Sequence, residues 1–466
     1  MLRLKELLEA TGGTLVNGNN AGPTVFPGLS TDSRTIAPGE LFVALKGDNF
    51  DGNDFLEAAC VKAAGAVVSR KPASLPSGKA IIVVPDTLKA LQSIARYIRG
   101  KAGIPVIGIT GSNGKTTTKE MTAAVLGSKL KILKSAGNLN NHIGLPLNLC
   151  KLAPEHEAAV LEMGASRLGD IKELCEIALP THGVLTNVGQ SHLEGFGGSM
   201  EKLLDTKLDL ARAAQTVIYN ADDPLLAPPI ERMGGKKLIS FGIRNKAHIR
   251  AAEETIEFAP SGVRFGLESS FAAMDGKVRV QLPVQGAFNV YNALAAIAAG
   301  AALGISPGDA ARALESFKGA PMRYEIKQVR GFTVLSDMYN ANPSSMEAAV
   351  NELARMARNA RKGRAIAVLG DMLELGPCSE DAHRKLGGLL AATVDELITV
   401  GPMMDLACAE FKKSGEGKNA SICADSAEAG RLLKGKLREG DTVLIKGSRG
   451  MKMERVLEML EMTDAV

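Results

Sequence analysis

A glycine-rich turn, Gly108-Ile-Thr-Gly-Ser-Asn-Gly-Lys-Thr-Thr-Thr118, lies between an apolar run at residues 104–109 and a helix-like run that begins near Lys115. Strand, glycine turn and helix in that order make a phosphate cradle. Glycines let the backbone turn tightly enough to aim several N–H groups at one anion, and the helix that follows adds the positive end of its dipole. Gly111, Ser112, Asn113 and Gly114 form the turn, Lys115 brings a full charge, Thr116 a hydroxyl suited to Mg2+, and Thr117 continues the helix start. The motif is a variant: five residues before Gly114, where the common phosphate loop has glycine, stands Ile109, and the nearest glycine is Gly108. An ordinary strand-turn-helix junction is the alternative, which the Gly-Lys-Thr-Thr run at 114–117 disfavours.

A chain of 466 residues exceeds what one hydrophobic core supports, so two to three domains are expected. With 50 glycines, few aromatics and no tryptophan, the composition suits many strand-turn-helix junctions better than a β-sandwich. The formal charge of +4 is spread without a long basic run, which argues against nucleic acid as the partner; a small anionic ligand suffices. Cys60, Cys150, Cys175, Cys378, Cys408 and Cys423 form no Cys-x-x-Cys pair or zinc spacing and read as buried free thiols. The N-terminus reads as an amphipathic helix over residues 2–10 with no signal-peptide core, and the most lipid-like stretch, 293–305, is too short for a bilayer. No membrane insertion, a cytoplasmic location and a monomer are expected.

Strand and helix signals alternate throughout and predict an α/β protein of three domains. Residues 1–85 read as a small α/β unit, with strands near 41–45, 66–69 and 80–84 and helices at 2–10 and 54–64. Residues 86–319 read as a central phosphate-loop domain: a helix at 87–99, a glycine hinge at 100–103, then apolar runs at 106–110, 158–163, 183–187 and 216–220 with helical segments between. Unbroken apolar runs of this kind indicate parallel strands buried on both faces. Short alternating segments between 247 and 282, marked by Gly262, Gly266 and Gly276, predict β-hairpins beside the main sheet. The Ala-rich run 288–303 and the start at Ser306-Pro307-Gly308 predict two helices. Lys318-Gly-Ala-Pro321 marks the second boundary, and residues 320–466 read as a Rossmann-like α/β domain with strands near 365–369, 397–400, 421–424 and 442–445.

Open parallel sheets bind ligands beyond the carboxyl ends of their strands, so polar residues there are the first candidates for chemistry. Glu162 ends an apolar strand and is either a Mg2+ carboxylate beside nucleotide phosphates or a cap for the next helix. His192 follows another strand at the same edge and is either catalytic or structural. Lys207 by itself reads as a solvated helix lysine. Asn289 and Asn292 stand one turn apart, so their amides share a helix face that suits a base edge; capping is the other reading of Asn289. Arg323 at the second boundary and Asp337 at a strand end fit either the far side of a nucleotide or an interdomain ion pair. The run 339–345 is either a substrate-facing loop or an Asn-Pro turn.

In order and spacing, Thr110-Gly-Ser-Asn-Gly-Lys-Thr-Thr117, Glu162-Met-Gly-Ala165, the segment 187–194, Asn289-x-x-Asn292, Arg323 and Asp337 resemble the Mur ligases, the ATP-dependent amide-forming enzymes of peptidoglycan synthesis. The resemblance covers the whole chain. Thr31-Asp-Ser-Arg34, Gly137-Asn-Leu-Asn-Asn-His-Ile-Gly-Leu-Pro146, Tyr339-Asn-Ala-Asn-Pro-Ser-Ser-Met346, Gly370-Asp-Met-Leu-Glu-Leu-Gly376, His383 and Lys446-Gly-Ser-Arg449 resemble the branch whose substrates are UDP-N-acetylmuramoyl-tripeptide and D-alanyl-D-alanine.

The resemblance implies that Gly111 to Thr117 cradle ATP, that Lys115 and Thr116 hold its phosphates and a first Mg2+, and that Glu162 binds metal. It further implies that His192 and Lys207 serve a second Mg2+, with Lys207 carboxylated by CO2. That reverses the bland reading of Lys207, because carboxylation turns a cation into an anion able to sit beside Mg2+. By the same resemblance Asn292, supported by Asn289, meets adenine, and Arg323 and Asp337 reach ATP from the third domain. Thr31, Asp32, Ser33 and Arg34 hold the uridine diphosphate end, Asn140 and Asn141 lie near the reactive end, and Tyr339, Asn340 and Asn342 face the dipeptide.

The implied chemistry is phosphorylation of the tripeptide carboxyl by ATP, attack of the dipeptide amine on the acyl phosphate, and closure of the third domain to exclude water. Two other readings compete. A sibling ligase adds one amino acid to a muramoyl peptide or glutamate to a folate; a phosphate-loop switch or kinase makes no amide. A switch should lack the set Glu162, His192 and Asn292, and a sibling adding diaminopimelate should carry an arginine-bearing loop where Asn340-Ala-Asn-Pro343 stands.

Overall fold

The phosphate-loop strand Val106–Thr110 is buried at every position. A strand with no solvent face must be covered on both sides, and here it lies inside a ten-stranded sheet, between Ala158–Glu162 and His182–Leu185. The computed structural model describes residues 1–16, 24–259, 261–271, 278–320, 323–329, 331–359, 363–413 and 418–461. Ile132–Lys134 extends the sheet on one side, and Thr216–Asn220, Lys237–Gly242 and Ile249–Ala251 extend it on the other, all parallel. The register pairs Ile109 with Glu162 and Thr110 with Leu185, so three strands release their chains at one edge. The expected hairpins follow as Glu257–Ala259, Gly262–Ser269 and Val278–Leu282, antiparallel at the far side of the sheet; Gly276 and Pro321 lie outside the described residues.

Helices Lys115–Gly127 and Ala287–Ala302 cover one face through Met121, Val125, Leu294 and Ile297. Helices Asp170–Ala178 and Met200–Ala213 cover the other through Ile171, Leu174, Leu203 and Leu210. Two further sheets complete the three-domain α/β architecture. The first domain has five strands in the order Thr14–Leu15, Ala80–Val83, Gly65–Val68, Leu41–Val43, Leu29–Ser30. The third has six, an antiparallel hairpin Glu325–Val329 and Phe332–Asp337 followed by parallel Thr442–Lys446, Ala365–Gly370, Glu396–Val400 and Asn419–Cys423.

Three local expectations need correction. Leu2–Arg3 is a short strand paired with Val25–Phe26, and the helix starts at Leu4. The helix expected at 54–64 is a 3-10 turn, Gly52–Phe55, followed by the short helix Leu56–Cys60. Tertiary bonds decide this: Asp51 accepts from the Asn53 N–H at 2.9 Å, while the Asn53 amide pairs with Ser69 through bonds of 2.9 and 3.1 Å. The hinge expected at 100–103 is helical through Lys101, in the single helix Thr87–Lys101. That helix buries Leu91 and Ile94 in the first domain and Ala95 in the central one. Arg99 ties it down, donating to the carbonyls of Ala178 at 2.9 Å and Leu179 at 3.1 Å, at the carboxyl end of helix Asp170–Ala178 where cations are favoured. Among the described residues no helix is long and apolar enough to cross a membrane.

Candidate active site

The shared strand edge opens into a cavity of about 950 Å³ between the central and third domains. Its floor is the glycine turn. Gly111 has φ 154° and Gly114 φ 79°, backbone that side-chain-bearing residues rarely adopt, and an added Cβ would run into the Thr186 hydroxyl or the Asn292 amide oxygen. Bonds to the loop after the neighbouring strand brace the turn, among them Ser112 N–H to Asn187 O and Asn113 N–H to Asn187 Oδ1, both 2.9 Å, Ser112 Oγ to Gly189 O at 2.8 Å, and Thr186 Oγ1 to Asn113 O at 2.6 Å. Lys115 lies over the turn, donating to Gly111 O at 2.7 Å and Ser112 O at 3.2 Å. Burial pulls its ammonium down to about 8; the Glu162 charge opposes that fall and Arg323 adds to it.

Glu162 is 2% exposed. Its Oε1 accepts from Asn140 Nδ2 at 2.8 Å, while its buried Oε2 has no hydrogen-bond partner among the described residues. A buried carboxylate oxygen left open is costly and fits a metal ligand. Lys207 is not the solvated lysine its sequence context suggests. It shares the inward face of helix Met200–Ala213 with Leu203, Thr206 and Leu210, and burial with the charge of Lys115 pushes its ammonium well below the usual lysine value. No hydrogen bond or ion pair holds it among the described residues; it is not one of the residues that line the cavity, though the charge of Lys115, which does line it, acts on it. His192, in a left-handed turn with φ 52°, pairs through Nδ1 with the carboxylate of Glu374 from the third domain. Among the described residues no cluster of three or more His, Cys, Asp or Glu side chains is arranged to hold a metal ion by itself.

On the far side of the cradle Asn292 accepts from Thr118 Oγ1 at 3.1 Å and donates to Asn289 Oδ1 at 3.0 Å, and Asn289 donates to Gln285 O at 2.6 Å. Asn289 does not cap its helix; Gly286 holds that position. Both amides line the cavity beside an apolar wall of Phe241, Val284, Phe288, Phe317 and Tyr324. From the third domain, the Arg323 guanidinium lies 3.8 Å over the Tyr339 ring and 3.5 Å from Thr116 Oγ1. Asp337 pairs with Lys446, its neighbour across two strands of the same sheet, and Lys446 also donates to Asn340 O at 2.9 Å. Asn342 starts helix Pro343–Asn359 by accepting from Ser345 N–H at 2.9 Å, and it clasps Asn113 of the cradle at 2.8 Å. Asn141 likewise accepts from Gly144 N–H at 2.8 Å.

The structure thus brings the sequence-nominated residues of the central and third domains to the wall of one cavity, apart from Gly111 and Lys207, which do not line it. Thr31, Asp32, Ser33 and Arg34 are elsewhere, after strand Leu29–Ser30, where two bonds from Arg34 at 2.9 and 2.7 Å hold the Asp32 carboxyl near 2. Glu374 and Tyr324 were not nominated, and Ser344 only as part of the run 339–345. The sequence signal for Glu374 was its place in the 370–376 motif; nothing in the sequence announces its partner.

A phosphate cradle on one domain, faced by an arginine-bearing domain across a roomy cleft, is the arrangement of a nucleotide-binding enzyme with its site between domains. Family profiles match three parts of the chain: the Mur ligase family catalytic domain at 26–99, the Mur ligase middle domain at 109–300 and the Mur ligase glutamate ligase domain at 322–449. The chain belongs to the Mur ligase family. It is 37% identical to the UDP-N-acetylmuramoyl-tripeptide–D-alanyl-D-alanine ligase of Bacillus subtilis over 98% of each chain, and 34% identical to that of Escherichia coli over 96% of each. The crystal structure of MurF from Acinetobacter baumannii superposes with a TM-score of 0.88 at 32% identity, covering 99% of both chains. MurF from Thermotoga maritima in complex with ADP gives 0.80 at 30% identity, covering 93% of this chain and 96% of that one.

Proposed function

We infer that this chain is the ATP-dependent ligase that joins D-alanyl-D-alanine to the tripeptide carboxyl of UDP-N-acetylmuramoyl-tripeptide in peptidoglycan precursor synthesis, releasing ADP and phosphate. The observation that carries this is end-to-end similarity, at 37% identity over 463 residues, to a ligase of that name. We read residues 1–85 as the domain that takes the uridine diphosphate end, 86–319 as the ATP domain and 320–466 as the domain that closes and takes the dipeptide. Helix Thr87–Lys101, packed into both of the first two cores, supports its reading as the strut between them. A cytoplasmic location follows from the need for ATP.

Within the cradle Gly111 to Thr117, the backbone amides of residues 114–117 at the helix start, which the bonds to Asn187 leave open, and the Lys115 ammonium bind the ATP phosphates and orient the γ-phosphoryl group. The tripeptide carboxylate attacks that group and ADP leaves. The dipeptide amine then attacks the acyl carbon, loses a proton and expels phosphate. Arg323, against Thr116, brings positive charge from the third domain to the same phosphates. Asn289 and Asn292 offer the amide capacity not used between them to a base edge. Tyr339, Asn340 and Asn342 stand on the wall that the dipeptide faces, and Asn140 aligns Glu162.

Thr116, Glu162, His192 and Lys207 are the residues to hold Mg2+, which when bound neutralises charge on the transferring group. The open Oε2 of Glu162 supports this. Lys207 fits after carboxylation: burial and the Lys115 charge disfavour its ammonium, and as the free amine its Nζ adds to the carbon of CO2 and gives up a proton, leaving a carbamate anion in place of an unpartnered amine. Purified protein with ATP, Mg2+ and UDP-N-acetylmuramoyl-tripeptide should release phosphate only when D-alanyl-D-alanine is added. Equal turnover with a single amino acid, or with glutamate and a folate, would transfer the assignment to a sibling ligase.

A further inference from the structure

Histidine is an unusual choice for Mg2+, a hard ion that prefers oxygen ligands. A neutral imidazole binds metal through one nitrogen, and the hydrogen bond made by the other decides which nitrogen that is and how basic it becomes. In this chain the group facing His192 Nδ1 is the carboxylate of Glu374. Glu374 belongs to another domain. We propose that Glu374 is the positioning residue for His192: it accepts a hydrogen bond from Nδ1–H, leaves Nε2 as the nitrogen free for metal, and does so only while the third domain is docked, so that domain closure finishes the metal site. The proposal rests on reading His192 as a Mg2+ ligand.

Three observations support it. Glu374 has φ 64° and His192 φ 52°, two of only five non-glycine residues with positive φ among the described ones, and they meet each other. Such backbone persists where the surroundings over-determine it. The loop carrying Glu374 is fixed from several sides: Met372 N–H donates to His383 Nε2 at 3.1 Å, Leu373 N–H to Ser448 Oγ at 2.9 Å, and Met404 N–H to the Asp371 carboxylate at 2.7 Å. A main-chain bond of 3.2 Å from Glu194 N–H to Glu374 O then docks the two strained turns across the interface. Finally, the side chains of His192 and Glu374 are 29% and 59% exposed, and an ion pair that open to water contributes little stability. Tautomer control is the use that such precise placement serves, and both residues line the cavity.

The test uses the full chain labelled with 15N-histidine, whose long-range proton–nitrogen spectra report the tautomer of each of its 6 histidines, His192 being assigned by its loss in His192→Gln. Wild-type protein without metal should hold His192 as the Nδ1–H tautomer, and Glu374→Ala should lose that preference while unfolding in urea at the same midpoint. Mn2+ binding in the presence of ADP should weaken by about 10- to 100-fold in Glu374→Ala. Glu374→Gln, whose amide oxygen accepts the same hydrogen bond without the charge, should restore the tautomer and only part of the Mn2+ affinity. An unchanged tautomer in Glu374→Ala overturns the proposal. Tautomer loss with wild-type Mn2+ affinity in both Glu374→Ala and His192→Gln shows instead that His192 is no ligand, which overturns the coupling to metal at its premise.

Discussion

Two lysines of one site are driven in the same direction by burial and put to different uses. Lys115 points over the cradle and keeps a proton at neutral pH, since its ammonium titrates near 8. Phosphates bind the charged form, so ADP affinity measured without metal should weaken as pH rises through 8. Calorimetry at pH 7 and pH 9 should differ by about tenfold, the ratio of protonated fractions for a group of that pKa. Lys115→Ala should bind weakly at both and abolish product; an equal pH slope in that variant would assign the titration to another group. Lys207, buried and under the charge of Lys115, is held well below the usual lysine value, which favours the free amine, the form that takes up CO2. Lys207→Ala should lose activity by about a hundredfold or more, the scale of removing one preorganised charge at a reacting centre. Short-chain carboxylic acids, able to occupy the vacated place as anions, should restore part of it. Undiminished activity would contradict the carbamate. The place of Lys115 was readable from the Gly-Lys-Thr-Thr run, but the fate of Lys207 was not readable from spacing, because a lysine on a helix has no signature of the face it will occupy until the sheet beneath that helix is known.

At the scale of elements, loops are placed by bonds from distant side chains. His383, buried in helix Ser379–Thr393, donates from Nδ1 to Ser379 O at 2.7 Å and accepts from Met372 N–H at Nε2. Both roles require the neutral ring, and burial holds its pKa below the ordinary histidine value. The neutral form is thus favoured on folding: the stabilisation is complete above about pH 6.5 and is lost as pH falls below it. His383→Ala leaves the Met372 N–H without its acceptor and should cost about 1–3 kcal/mol in urea unfolding at pH 7.5, with a smaller gap from wild type at pH 5.5. A gap independent of pH would show that the ring is not held neutral.

The same scale decides what the sequence could reveal. Strands such as Val106–Thr110 and Ala158–Glu162 announce themselves because burial on both faces demands an unbroken apolar run. Glu325–Val329 does not, since an edge strand carrying Glu325, Lys327 and Gln328 looks like a loop. Gly52–Phe55 went astray because Ser69, far along the chain, sets the conformation of Asn53.

For the molecule as a whole, the three-domain α/β architecture was legible, because each of the three large sheets repeats its own alternation of strand and helix. The ring of candidate residues was legible as well, since strand ends in an open parallel sheet share an edge. How the third domain meets the cradle was not. The clasp of Asn113 with Asn342 and Ser344, the approach of Arg323 to Thr116 and the pairing of His192 with Glu374 all join residues of different domains, and no local pattern encodes such partners. These contacts close the cavity in which, by this account, a carboxylate is activated as an acyl phosphate away from water. The most direct check is isotopic. UDP-N-acetylmuramoyl-tripeptide carrying 18O in both oxygens of the reacting carboxyl should, after one turnover with ATP and D-alanyl-D-alanine, pass one labelled oxygen to the released phosphate and keep the other in the new amide. Phosphate free of label would contradict the acyl phosphate and the central role given to this cleft.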